Sequence, residues 1–227
     1  MSDVVASIVA RHKRYGWSAP IGEWGEIQAT DRREFRAALD AGDVDEVEVL
    51  LDALFDGPLM FGLVSLPDDW RNSLFQLVTW RMAMWAKMTH SPVVDRMEAP
   101  AMGQPIALTV GTASGRMVYV MLDTPRFDHY AERIVEVVPH GGTVLEIGGG
   151  YGGTALQLLR HDPTLRVVMV DIPETLYLAA YFLSEAGVPV AWWDDAPEAR
   201  SHAGVVLLPA QELAQCAPRP DLVFSAH

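Results

Sequence analysis

A glycine-rich turn between two apolar segments holds the residues best suited to chemistry in this chain. Val144–Ile147 is apolar apart from Glu146, and the turn after it contains Gly148, Gly149, Gly150, Gly152 and Gly153. A second apolar segment, Val167–Val170, ends in Asp171. Glycine permits a sharp bend from strand to helix and lets a ligand approach the main chain. The pattern predicts two parallel strands of an α/β sheet with both carboxylates at one ligand crevice.

The two carboxylates bear on which cofactor this crevice would hold. Asp171, at the end of the second strand, is placed to accept hydrogen bonds from ribose hydroxyls. Gly148, Gly150 and Gly153 also fit the dinucleotide pattern G-x-G-x-x-G, a weak signal on its own. Glu146 would repel a pyrophosphate but would attract the sulfonium and ammonium groups of S-adenosylmethionine. We expect S-adenosylmethionine; the alternatives are NAD, or purely structural glycines with a solvated Glu146.

The stretch from Val144 to about Ala186 resembles class I methyltransferases and, among them, a family of sugar O-methyltransferases. The likeness rests on E-x-G-x-G-x-G within LEIGGGYGG at Leu145–Gly153, and on VDIPETLYLAAYFLS at Val170–Ser184. It implies a Rossmann-like sheet and methyl transfer from S-adenosylmethionine to a hydroxyl of a sugar or glycosylated metabolite. The expected partner is a small-molecule or glycan substrate. The first hundred residues match this family only vaguely.

The resemblance also implies which residues contact the cofactor. Gln211, with Ala210, would meet adenine after a third strand predicted at Gly204–Leu208, although Val188–Trp192 is an alternative for that strand. The expected cofactor-binding residues are Glu146, Gly148, Gly149, Gly150, Gly152, Asp171, Ile172, Ala210 and Gln211.

The residue that would deprotonate the acceptor hydroxyl is weakly marked. His227 ends a predicted fourth strand, Asp221–His227, and could titrate near neutral pH, although a terminal histidine without a fixed position explains it equally well. His129, in a helix predicted at Arg126–Val138, is the second candidate, with packing as its alternative role. No metal site is predicted. Some O-methyltransferases hold a divalent cation with carboxylates near the ends of strands four and five, whereas the acidic cluster of this chain precedes the third strand: Asp194, Asp195 and Glu198.

Composition narrows the class of protein. The 227 residues include 17 Lys and Arg against 30 Asp and Glu, a net charge of -13 that disfavours nucleic-acid partners. Half of the residues are hydrophobic, which suits a globular protein with one sizeable core. The single cysteine, Cys216, rules out an intrachain disulfide. With no export signal or membrane-length apolar run recognised, we expect a cytoplasmic protein without a membrane partner.

The predicted architecture has three parts. Residues 1–100 form a helical N-terminal or lid region, 101–125 a β-hairpin connector, and 126–227 a Rossmann-like cofactor-binding domain. A homodimer through the tryptophan-rich helix around Trp70 to Trp85 would suit a non-catalytic scaffold, the third functional alternative. Class I methyltransferases order their strands 3-2-1-4-5-7-6, so a sheet that stops after strand four is expected to be truncated; the alternative is that a partner covers the exposed edge of strand four.

Overall fold

The computed structural model describes residues 3–18, 26–27, 29–60, 70–202, 204–214 and 219–225. Its N-terminal part is helical, as predicted, with short 3-10 turns at Pro58–Met60 and Val94–Met97. Among its described residues, this part contains the helices α1 (Asp3–Tyr15), α2 (Arg33–Ala41), α3 (Val44–Asp52) and α4 (Trp70–Met88).

An antiparallel hairpin connects the helical part to the sheet. Strands β1 (Ala107–Gly111) and β2 (Met117–Met121) pair from Ala107 opposite Met121 to Gly111 opposite Met117. Val118 and Val120 on its buried face pack in one cluster with Trp85 of α4. A hairpin was predicted within residues 101–125, and the structure forms it there.

The remainder is an α/β unit built on five parallel strands in the order β5-β6-β4-β3-β7. Its strands are β3 (Thr143–Ile147), β4 (Arg166–Asp171), β5 (Val190–Trp192), β6 (Val205–Pro209) and β7 (Leu222–Phe224). Its helices are α5 (Thr124–Val135), α6 (Gly153–His161), α7 (Pro173–Glu185) and α8 (Pro197–His202). The predicted order of the first four sheet strands, 3-2-1-4, is confirmed as β6-β4-β3-β7.

One part of the strand prediction was wrong. Val188–Trp192 and Gly204–Leu208 were treated as alternatives for a single strand, whereas both segments contribute strands. The shorter one, β5, pairs in parallel with the outer edge of β6, where Val190 faces Val205. A parallel pair needs a crossover connection, and the short helix α8 lies within it.

The N-terminal helices and the sheet share one hydrophobic core. Val5 and Ile8 of α1 and Phe35 of α2 belong to the same buried cluster as Tyr177 and Phe182 of α7. Strand β4 is apolar on both faces, as expected of a parallel strand covered by helices on both sides. The helical region therefore packs against the sheet unit at the helix that follows Asp171. Among the described helices, none combines the length and hydropathy that a bilayer span requires.

Candidate cofactor site

The glycine turn joins the carboxyl end of β3 to α6. Gly148, Gly150 and Gly152 all have positive φ angles, and the Gly148 amide donates to the Val170 carbonyl of β4 at 2.9 Å. The glycines of the turn differ in how closely other side chains approach them. A Cβ at Gly152 would lie 2.9 Å from Leu183, whereas a Cβ at Gly150 would meet nothing within 4 Å. Gly152 is therefore required by packing, while Gly150 faces open space at the mouth of the turn.

Glu146 is the most unusual group of the site. Its side chain is buried, at 1 % exposure, and neither carboxylate oxygen makes a hydrogen bond of normal geometry in the described part of the chain, although the Thr154 side chain lies close enough to act on its pKa. Burial raises the pKa of Glu146 to about 8; the nearby Thr154 hydroxyl opposes the shift, and the charge of Asp171 adds to it. A Cβ at Gly149 would lie 3.0 Å from the Glu146 carboxyl carbon. The alternative of a solvated charge at the strand end was wrong, because the turn folds over this side chain.

Asp171 is fixed at the opposite wall by two backbone amides. Its Oδ1 accepts from the Ile172 amide at 2.7 Å, and its Oδ2 accepts from the Gly150 amide at 3.0 Å. Burial raises the pKa of Asp171 to about 6, and the negative charge of Glu174 acts in the same direction. The two amides and the charge of Arg32 act against this rise. The carboxylate is thus held beside the open position at Gly150.

Two further charged residues at this edge were not predicted as site residues. Arg32, just before α2, is fully buried, and its Nη1 donates to the Thr175 hydroxyl of α7 at 3.4 Å. Burial lowers the pKa of Arg32 to about 10, although the negative charges of Glu174, Asp171 and Asp31 favour its charged form. Glu174 is also buried and accepts from the Ser18 amide at 3.2 Å and from the Ser18 hydroxyl. The N-terminal segment therefore closes over the carboxyl edge.

The other predicted site residues lie farther from the glycine turn or are more exposed. Ala210 and Gln211 are exposed in a 3-10 turn directly after β6, whose last residue Pro209 pairs with Asp171. His129 is half-buried on α5 with its ring centroid 6.1 Å from that of Tyr130. No hydrogen bond among the described residues joins His129 to Glu146 or Asp171. His227 lies outside the described residues.

Two cavities lie elsewhere on the molecule. One of about 440 Å³ opens at the amino edge of the sheet, beside Arg166 and Gly204. A second, of about 1020 Å³, lies between the segment 98–105 and the end of α7 near Tyr181. Neither of these two is lined by Glu146 or Asp171. The candidate site is defined by its charges and its turn geometry.

A group of potential metal ligands also lies away from the crevice. Ligand atoms of His90, Glu132 and Glu136 lie within 4.8 Å of one another. Glu132 is already engaged, since its two oxygens accept from the amides of His90 at 2.8 Å and Ser91 at 2.7 Å. These bonds tie the end of α4 to α5, which accounts for the cluster without a metal.

Comparisons with known proteins identify no family for this chain. No protein-family model and no curated protein matches the sequence. One similar solved structure is a protein-L-isoaspartate O-methyltransferase, with 17% identity over 68% of this chain and 47% of that chain, at a TM-score of 0.32. Another is coclaurine N-methyltransferase bound to N-methylheliamine and SAH, with 14% identity over 99% of this chain and 55% of that chain, at a TM-score of 0.34. The chain spans about half the length of both, and at these TM-scores neither likeness supports a conclusion about its function.

Proposed function

We propose that this chain binds S-adenosylmethionine at the glycine turn and transfers its methyl group to a hydroxyl of a sugar or glycosylated metabolite. The observation that carries the cofactor assignment is the buried Glu146 carboxyl group, neither of whose oxygens makes a hydrogen bond of normal geometry in the described part of the chain. Buried polar groups without partners are rare in folded proteins and call for an explanation. A ligand that supplies a positive charge or donors at this point explains it.

Charge decides between the two cofactor classes. Glu146, Asp171 and Glu174 are three buried or half-buried carboxyl groups near one buried cation, Arg32. Two unit charges about 4 Å apart at an effective dielectric constant near 20 interact by about 4 kcal/mol. A sulfonium or ammonium group beside Glu146 would promote its ionisation and gain this interaction, whereas an ionised Glu146 would oppose a pyrophosphate by a similar amount. The crevice therefore suits a cationic nucleoside better than a dinucleotide.

One observation speaks for the alternative, a nicotinamide dinucleotide. An arginine near the carboxylate after the second strand is where NADP-binding sites hold the 2′-phosphate. Arg32 lies near Asp171, but Glu174 lies there too and would repel that phosphate. We therefore keep the dinucleotide as the second candidate.

The chemistry assigns different tasks to the residues of the site. Asp171 accepts from the ribose hydroxyls, Gly150 leaves room for the nucleoside, and Glu146 faces its positive charge. S-adenosylmethionine supplies the reactive methyl group, so the protein mainly aligns methyl and acceptor, which contributes about 7–11 kcal/mol in favourable cases. A base for the acceptor hydroxyl would add roughly a hundred- to ten-thousandfold in rate. His129 and His227 stay candidates for that role, and the sugar acceptor rests on the sequence resemblance.

Isothermal titration with S-adenosylmethionine, S-adenosylhomocysteine and NAD tests the cofactor proposal. We expect the two adenosyl compounds to bind and NAD not to bind. Glu146→Gln, which keeps the shape and removes the charge, should weaken S-adenosylmethionine at least about tenfold, since it removes a charge-assisted contact. Glu198→Gln, on the exposed helix α8, is the matched control and should leave affinity unchanged. Binding of NAD alone, or equal affinity for the wild type and Glu146→Gln, would contradict the assignment.

Transfer of a labelled methyl group tests the acceptor class separately. Sugars, glycosides and nucleotide-linked sugars are offered beside amine and carboxylate acceptors of similar size. Label on a sugar hydroxyl supports the proposed substrate class. Label on an amine or a carboxylate would retain the cofactor assignment and overturn the sugar O-methyltransferase part.

A further inference from the structure

Arg32 is a buried cation that the N-terminal region contributes to the carboxyl edge of the sheet. Its side chain is fully buried, and its Nη1 donates to the Thr175 hydroxyl in the first turn of α7. Nearby, the amide and hydroxyl of Ser18 both donate to Glu174. Two residues of the N-terminal part thus bind the turn of α7 that directly follows Asp171.

The charges around Asp171 are unbalanced without Arg32. Glu174 of α7 and Glu146 of β3 are the carboxyl groups that interact with Asp171, and Arg32 is the cation that acts on it in the described structure. Glu174 disfavours a negative charge on Asp171, as does burial, whereas Arg32 favours it. Removing the Arg32 charge would leave the two backbone amides, of Gly150 and Ile172, as the stabilising contacts of an ionised Asp171.

Ionisation of Asp171 matters because of its hydrogen-bond capacity. An ionised carboxylate only accepts, at about four lone-pair positions, and two of these already receive the amides of Gly150 and Ile172. The remaining positions can receive both hydroxyls of a ribose. A protonated Asp171 carries a hydrogen on one oxygen and can no longer accept the full set. A residue that favours the ionised form of Asp171 would therefore raise the affinity for a nucleoside without contacting it.

We infer that Arg32 is a positioning residue of the cofactor site, which keeps Asp171 ionised for the ribose hydroxyls while it anchors the N-terminal segment to α7. The inference rests on the proposed function for the role of Asp171 as the ribose acceptor. The inference also states that ionisation of Asp171 depends on the charge of Arg32. That dependence requires no ligand and can be measured on the free protein.

The first test is carbon-13 NMR of the chain labelled at aspartate carboxyl carbons, with the Asp171 signal assigned from Asp171→Asn. In Arg32→Gln, which keeps a donor for Thr175 but no charge, the midpoint of the Asp171 titration should move up by about one pH unit, as expected when an opposite charge is lost. Arg32→Lys should restore most of the wild-type midpoint. Arg33→Met, at an exposed neighbouring position, should leave it unchanged.

Arg32→Met serves in place of Arg32→Gln if the latter does not fold, because an apolar side chain can fill the same buried volume. An Asp171 midpoint that is the same in wild type and in the folded neutral variant would overturn the inference. So would a shift that Arg32→Lys fails to reverse, since the effect would then come from packing and not from charge.

The second test is the affinity for S-adenosylmethionine as a function of pH. As the pH is lowered, the affinity of Arg32→Gln should begin to fall at a higher pH than that of wild type. The loss relative to wild type should be about threefold near pH 6.5, approach about tenfold below pH 5 and largely disappear at pH 9. A uniform loss at every pH would indicate a structural role and contradict the inference. If the wild type binds no S-adenosylmethionine at all, the proposed function fails, while the NMR titration still decides whether Arg32 controls Asp171.

Discussion

The protein contains two groups of buried charges that use similar residues in opposite ways. One is the crevice with Glu146, Asp171 and Arg32. The other is a cluster centred on Asp128 of α5, where α4, α5, α6 and the 3-10 turn at Val94–Met97 meet. Asp128 is fully buried, yet its Oδ1 accepts from His161 Nε2 at 2.8 Å and Arg96 Nε at 3.2 Å, and its Oδ2 accepts from Trp85 Nε1 at 2.8 Å.

The pKa values of the carboxyl groups show that hydrogen bonds compensate for burial in one group of charges and not in the other. Burial by itself raises the pKa of Asp128, but the hydrogen bonds from His161, Trp85 and Arg96 outweigh it and lower the pKa. Burial also raises the pKa of Glu146, and there no comparable set of donors compensates in the described structure. A buried carboxylate with a full set of donors stabilises the fold, whereas one whose donors are missing marks a place where a ligand completes the set.

The largest expected effect is the loss of the satisfied cluster. Asp128→Ala removes the shared acceptor of three donors and leaves Arg96 and His161 without their common carboxylate. We expect the free energy of unfolding to fall by about 3–5 kcal/mol, as is typical when one partner of a buried ion pair is removed. Urea unfolding measures it, with Asp45→Ala on the exposed face of α3 as the control. A loss below about 1 kcal/mol would mean that the cluster does not support the fold.

A smaller and opposite effect is expected at the unsatisfied site. The pKa of Glu146 is raised to about 8 in the folded chain, against about 4.3 for an unperturbed glutamate, so burial of this group destabilises the fold increasingly as pH rises from about 4.3 to about 8. Glu146→Gln removes this dependence. Relative to wild type, we expect the variant to gain on the order of 3 kcal/mol in unfolding free energy between pH 5 and pH 8.

Urea unfolding of both proteins at several pH values checks this prediction. The Asp128 cluster should show the reverse trend at lower pH, because a lowered carboxyl pKa adds stability that is lost only on acidification from the unfolded pKa of about 3.9 through the folded one. A constant difference between wild type and Glu146→Gln from pH 5 to pH 8 would show that Glu146 is not buried in its neutral form.

The smallest expected change in stability comes from replacing a glycine of positive φ by alanine. A matched pair of such glycines distinguishes the cost of backbone strain from the loss of space for a ligand. Gly150 and Gly141 both have positive φ angles, 59° and 74°, and a Cβ at either would meet nothing within 4 Å. Alanine at either position should cost about 1 kcal/mol, since non-glycine residues rarely adopt this conformation. Only Gly150→Ala should also weaken S-adenosylmethionine, measured by titration calorimetry. Equal affinities in the two variants would place the nucleoside away from the glycine turn.

Local signals allowed much of the sheet to be predicted from sequence. The apolar run before Glu146, the glycine turn and the run that ends in Asp171 are contiguous patterns, and the structure forms β3, α6 and β4 from them. Strands β5 and β6 were predicted as alternatives because each run is short and the helix between them is only one or two turns long. Tertiary packing determines which of the two short apolar runs pairs with β4, so the sequence pattern alone does not predict it.

The charges of the site were only partly predictable. Glu146 and Asp171 were found from their positions at the ends of strands, but the burial of Glu146 depends on how the turn folds over it. Arg32 was missed because it is separated from Thr175 by 143 positions and no local motif marks it. Glu174 was missed for the same reason, since its partner Ser18 lies 156 positions away in the chain.

Backbone hydrogen exchange with and without saturating S-adenosylmethionine tests the central claim most directly, because it reports on both charge groups in one experiment. We predict slower exchange at residues 147–153 and 171–175, and unchanged exchange around Trp85, Arg96 and Asp128. Protection confined to the Asp128 cluster, or no protection in the glycine turn under conditions where the ligand is bound, would contradict the claim that the unsatisfied crevice is the cofactor site.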